Sequence, residues 1–248
     1  MKKLYEKSRL GFALALIGVY CVAMSAGDLL SVALGLEKSV TLAVAAALSA
    51  VLLVFLKKNG LFSAYGFCPA RVSARKMLYY LPAIVMLSAN FWPGVTVRGP
   101  LAETVLYILS MLFVGFLEEL IFRGFLFEAL REKDLKSAVL VSSLTFGMGH
   151  ILNLFNGSGA ELLPNLLQVL YATAAGFMFV MIYHRSGSLL FCIGAHGLFN
   201  AFSAFSADCP LIEWQIASAL LLTALTGGYG AYLALAFSRT DVGRGKDR

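Results

Sequence analysis

Three short groups of polar residues interrupt an otherwise apolar chain: Glu118-Glu119-Leu120-Ile121-Phe122-Arg123, Phe146-Gly147-Met148-Gly149-His150 and His196-Gly197-Leu198-Phe199-Asn200. Carboxylate, imidazole and amide are the side chains of hydrolysis by activated water. The first two can take a proton from water, and uncharged donors can hold a carbonyl oxygen as it gathers charge. Glu119 and Arg123 stand four apart, so on a helix they share a face and are predicted to pair, each offsetting the other's burial. That leaves Glu118 without a partner on its own helix and free to accept a proton. His196 and Asn200, also four apart, project an imidazole and an amide from one face.

The elements that must hold these groups are membrane helices. Of the 248 residues 59% are hydrophobic and 14% charged, against about a quarter charged in soluble domains, and the mean hydropathy is +0.80. Eight apolar segments, at 10–34, 39–56, 77–91, 101–130, 137–155, 163–183, 188–205 and 212–237, predict an all-α, polytopic membrane helical bundle of about eight transmembrane helices. The third is short and ends at Trp92-Pro93-Gly94, an aromatic anchor followed by breakers. The N-terminus has the outline of a signal peptide, but its apolar run continues to Leu36, long enough to span. No repeat or soluble segment divides residues 1–248, which are read as one membrane-embedded domain. Cys21, Cys68, Cys192 and Cys209 show no paired spacing and are read as membrane-buried thiols.

A charged side chain at mid-bilayer costs about 2.5–3.5 kcal/mol, so the three polar groups mark a site by default. The fourth and fifth segments form a hairpin turning at 131–136. Glu118 and His150 each lie about 16 positions from its centre, which puts them at one depth in an antiparallel pair. Gly147 and Gly149 remove bulk beside the histidine and predict close helix approach. Phe146 is read as packing that shapes the pocket.

The formal charge of +6 does not point to nucleic acid, because no basic face is visible. The basic residues sort instead between alternate connections: all but Lys38, Arg98 and Arg123 of the 20 fall on one side. Positive loops stay cytoplasmic, so both termini are predicted to be cytoplasmic.

The order E-E-x-x-x-R, then F-x-x-x-H, then H-x-x-x-N, each on its own span, resembles the CAAX-protease and bacteriocin-processing (CPBP, or Abi) family, which includes the CAAX prenyl endopeptidases of the Ras-converting type. The resemblance covers about residues 118–200, within a motif core of 101–205. It implies an intramembrane endopeptidase in which Glu118 and His150 activate water and His196 and Asn200 stabilise the oxyanion. Glu119, Arg123 and Phe146 would support that site. The substrate would be a peptide or protein, membrane-anchored in some relatives, met in the lipid bilayer of what by analogy is a prokaryotic cell membrane. No cofactor is expected. The alternative is zinc on Glu118, His150 and His196, since such enzymes were long labelled metalloproteases. Two other functions fit parts of the pattern: a non-catalytic regulator or bacteriocin-immunity protein of the same family, and a transporter using the buried charges as an ion path.

Overall fold

The structure is a computed structural model that describes residues 1–78, 80–97, 99–156, 159–209 and 211–236. Arg98, Phe237, Arg239, Arg244, Lys246 and Arg248, which enter the charge and span readings, lie outside the described residues. The chain is an all-α membrane bundle. A short helix α1 (Lys2–Lys7) precedes α2 (Arg9–Ala33), α3 (Ser39–Lys58), α4 (Ala74–Met77), α5 (Tyr80–Ser88) and α6 (Leu101–Glu118). Then come α7 (Glu128–Arg131), α8 (Leu135–Gly149), α9 (Leu162–Ser186), α10 (Leu190–Phe202) and α11 (Ile212–Ala236).

Polar residues mark the helix ends where backbone groups lose their partners. Ser8 is extended between α1 and α2, and its hydroxyl accepts from Gly11 N at 2.9 Å. Asp134 caps α8 by accepting from Ser137 N at 2.7 Å, and hydrogen bonds from the Ser137 hydroxyl and then this backbone N–H hold its carboxyl below the usual carboxylate range. Lys38 turns the α2–α3 hairpin in the left-handed region, at φ 59°.

Six helical stretches are long and apolar enough to cross a membrane: Arg9–Ala33, Ser39–Lys58, Leu101–Arg131, Leu135–Leu154, Leu162–Ser186 and Ile212–Leu235. The other two expected spans are helical but shorter, Tyr80–Phe91 and Leu190–Phe205. The start of the third is interrupted where Leu78 takes a positive φ of 52° between α4 and α5, a break that a leucine does not advertise. The two short stretches meet near their ends. Asn90, at the end of the first, donates to Phe199 O near the end of the second at 2.9 Å.

The two ends differ. At one, Arg9 pairs with Glu132, Arg71 N donates to Ser186 O at 2.7 Å and Leu189 N to Gly66 O at 2.8 Å. Arg185 reaches Ala234 O in α11 at 3.4 Å. This end gathers the N-terminus and the loops carrying Lys57, Lys58, Arg75, Lys76, Arg131, Lys133 and Lys136, as the charge sorting requires. At the other end, Lys38 pairs with Asp28 at 2.7 Å, and the loops after α5 and α10 meet through Thr96 N to Phe205 O at 3.0 Å.

Lipid offers no hydrophobic drive for helices to associate, so packing must hold them. Behind the basic end, Phe12 stacks on Phe55 at 5.2 Å and Tyr65 tilts against Phe125 at 4.6 Å. Deeper in, two crossings depend on glycine. A Cβ at Gly115 of α6 would stand 2.5 Å from Gly197 Cα of α10, and one at Gly147 of α8 would stand 2.9 Å from Thr173 N of α9. Gly149 does not share that role: a Cβ there would meet nothing within 4 Å. The expected close approach therefore belongs to Gly147, while Gly149 borders open space.

Candidate active site

The span carrying Glu118 is not α-helical throughout. From Glu119 to Phe127 it is a π-helix, all nine residues of which are buried. Bonds from i to i+5 widen the turn, and such segments gather at functional sites. Here the change begins between the two adjacent glutamates, so Glu118 ends α6 while Glu119 opens the wider helix. No local composition announces it. The resulting loss of α-register was not legible.

The expected ion pair forms. Arg123 Nη1 lies 2.9 Å from Glu119 Oε1, with both side chains fully buried. The guanidinium also rests on the face of Phe146, 4.0 Å from the ring centroid, and lies 5.6 Å from that of Phe179. Phe146 is thus more than pocket packing. Its ring stands edge-on to His150 at 5.6 Å and to His196 at 5.4 Å, tying the buried cation to both histidines. Gly176 of α9 makes room, since a Cβ there would meet Phe146 at 3.1 Å and Arg123 Nη2 at 3.3 Å.

His196 is held between the glutamates. Its Nδ1 is 2.8 Å from Glu119 Oε1 and its Nε2 is 3.4 Å from Glu118 Oε2. The sequence places His196 with Asn200 as a pair of donors on one face. The structure adds that the imidazole is already engaged, whereas the Asn200 side chain borders open space beside it.

Glu118 has a partner that no motif contains: the Tyr20 hydroxyl, from α2, donates to its Oε1 at 2.7 Å. Only the fold brings residue 20 to residue 118. His150 lies across the space from Glu118, at the first residue of the 3₁₀ turn His150–Leu154 that ends its span. Asn165 Nδ2 donates to its carbonyl at 2.9 Å, replacing an intrahelical bond. No hydrogen bond joins Glu118 to His150 among the described residues; they face one another across a cavity of about 470 Å³ that Tyr20, Glu118, His150 and Asn200 line together.

A zinc site needs three or more donors converging on one point. Among the described residues no three His, Cys, Asp or Glu side chains gather in that way. The four cysteines are free thiols; Cys192 is buried and Cys21, Cys68 and Cys209 are partly exposed.

Comparison with known proteins agrees with this arrangement. Residues 100–202, which hold all three motifs, match the family model described as Type II CAAX prenyl endopeptidase Rce1-like. A Bacillus subtilis protein carrying the name "Putative membrane peptidase YdiL" is 34% identical over 128 residues, 51% of this chain and 47% of that protein. The chain therefore matches about half the length of that curated relative. No solved structure matches. The motif order, the cavity the motifs surround and these likenesses make residues 100–202 of this multi-pass integral membrane protein similar to the Type II CAAX prenyl endopeptidase Rce1-like family.

Proposed function

We propose that the protein is an intramembrane endopeptidase that hydrolyses a peptide bond with water activated by Glu118 and His150. The observation that carries this reading is the convergence of Glu118, His150 and Asn200, from three spans, on one polar cavity deep in the bundle. Tyr20 fixes Glu118 Oε1, while Oε2, buried and 3.4 Å from His196 Nε2, makes no hydrogen bond. A water between Glu118 and His150 loses its proton to the carboxylate as its oxygen bonds the carbonyl carbon. Asn200 donates to the carbonyl oxygen as it becomes an oxyanion, and His196 joins it when its Nε2 turns from Glu118, 3.4 Å away, to the substrate. Collapse of the intermediate breaks the C–N bond, and the proton held by Glu118 passes to the leaving amine.

Glu119 and Arg123 do not enter that sequence. They hold His196 Nδ1 and fix the helix that presents Glu118. No metal takes part in this scheme.

The test is cleavage of a quenched peptide by the purified protein after prolonged treatment with a strong chelator. The parent is expected to cleave, and Glu118→Gln, which keeps shape and removes the proton acceptor, to lose about 10²–10⁴-fold. Cleavage by Glu118→Gln at the parental rate would overturn the assignment. Loss of activity on chelation, restored by zinc, would overturn the metal-free scheme.

A further inference from the structure

The cavity has a direction. Its lining rises along α2 from Tyr20 through Met24 to Asp28, and along the end of the fifth span from His150 through Asn153 to Asn156. Both series lead from mid-bundle to the end where Lys38 caps α3. At the mouth Asp28 is held by Lys38 and by the Thr41 hydroxyl, each at 2.7 Å, and by Asn156 at 3.4 Å. A second cavity of about 520 Å³ shares Asp28, Lys38, Tyr107 and Asn156 with the first and extends it to Glu37 and Glu103. Polar side chains therefore line an unbroken route from Glu118 to that surface.

The opposite direction is closed. Between Glu118 and the basic end lie the nine buried residues of the π-helix. Phe12, Leu56, Leu117 and Met178 around them are at most 2% exposed. No residue of the basic end lines the cavity. The open route is also the longer one: Glu118 is 17 residues, about 26 Å of α-helix at 1.5 Å per residue, from Leu101 but only 13 residues from Arg131.

Lysine and arginine are abundant at the sealed end. At the open end Lys38 is the basic residue among those described, and it is neutralised by Asp28. Positive loops stay in the cytoplasm. We infer that the cavity takes its water, and its substrate, from the non-cytoplasmic face, so that the polypeptide cut is a segment that has crossed the membrane or protrudes beyond it. The substrate half of this inference rests on the peptidase reading above; the route of water does not.

Cys21 permits a test that needs no activity, because it lines the cavity one residue from Tyr20. In a chain carrying C68S and C209S, a membrane-impermeant cationic methanethiosulfonate is applied to right-side-out and to inverted vesicles, with C21S added as the blank. Single cysteines at Glu37 and Lys133 (E37C, K133C), in the chain lacking Cys21, Cys68 and Cys209, report the orientation. Labelling of Cys21 and of E37C is expected in right-side-out vesicles and absent in inverted ones, with K133C the reverse. Labelling of Cys21 in inverted vesicles, no labelling from either side, or E37C facing the cytoplasm would each overturn the inference. An impermeant quenched peptide is then offered to both vesicle types. A Cys21 labelled from outside in a protein that cleaves nothing keeps the route and sinks the peptidase reading. Cleavage confined to inverted vesicles sinks the route and keeps the peptidase.

Discussion

Glu119→Gln is the change whose cost the structure sets most sharply. The guanidinium of Arg123 is fully buried, with Glu119 as the anion at 2.9 Å, and none of its nitrogens has a further hydrogen-bond partner. Removing one member of a buried pair costs about 3–5 kcal/mol, because a charge is left uncompensated. The faces of Phe146 and Phe179 remain beneath the cation and contribute about 2 kcal/mol when desolvated, which argues for the lower end, about 3 kcal/mol. The amide oxygen of the glutamine still accepts from His196, so that contact offsets little of the loss. Arg123→Met strands Glu119 instead and is expected to cost a similar amount. The double variant leaves no buried charge in this pair, and its cost should fall short of the sum of the singles by at least about 2 kcal/mol. Reversible unfolding in mixed detergent–SDS micelles, followed by the fluorescence of Trp92 and Trp214, measures all four proteins. A coupling below about 0.5 kcal/mol would refute the argument that charge pairing, rather than the aromatic faces, holds Arg123 in place.

Tyr20→Phe removes only the hydroxyl that aims Glu118; a hydrogen bond to a charged group contributes about 1.5–3 kcal/mol, so peptide cleavage should slow by roughly tenfold or more with the folded yield unchanged, and an unaltered rate would remove Tyr20 from the site. Gly115→Ala must push α6 from α10, since its Cβ would sit 2.5 Å from Gly197 Cα, and overpacking of this kind costs about 1–3 kcal/mol in the same unfolding assay. Gly149→Ala meets nothing within 4 Å, so a neutral or slightly stabilising effect is expected there, and a loss matching that of Gly115→Ala would contradict the contrast.

Much of this site could be read before the fold was known, because its geometry is local. The Glu119–Arg123 pair needs only a four-residue spacing, and the facing of Glu118 and His150 across one cavity needs only a hairpin of known centre. What could not be read depends on contacts between distant parts of the chain or on backbone departures without a residue signature. Tyr20 is an ordinary tyrosine in an apolar run until α2 packs against the π-helical segment that follows α6. Phe146 sits in a motif, yet its place beneath Arg123 follows from a third helix whose Gly176 leaves the space. The π-helix at 119–127 and the positive φ of Leu78 carry no glycine or proline to announce them, so an α-helical reading places the glutamates well and the register after them badly. The eight apolar segments were legible from hydropathy; that two of them are too short to span by length alone follows from the broken start of one and the early end of the other.

The seal of nine buried residues has an electrical consequence. A cavity filled from one face carries that face's solution, and its potential, down to Glu118. Whatever voltage the bilayer bears then falls not over its full thickness but across the dry layer from Glu119 to Phe127, at about 2.3 kcal/mol per elementary charge per 100 mV. Arg123 is fixed inside that layer as a positive charge in the path of any cation. The same segment that follows Glu118, the proposed proton acceptor, therefore insulates the membrane, and a polar substitution on it is expected to produce proton leak as well as lost cleavage.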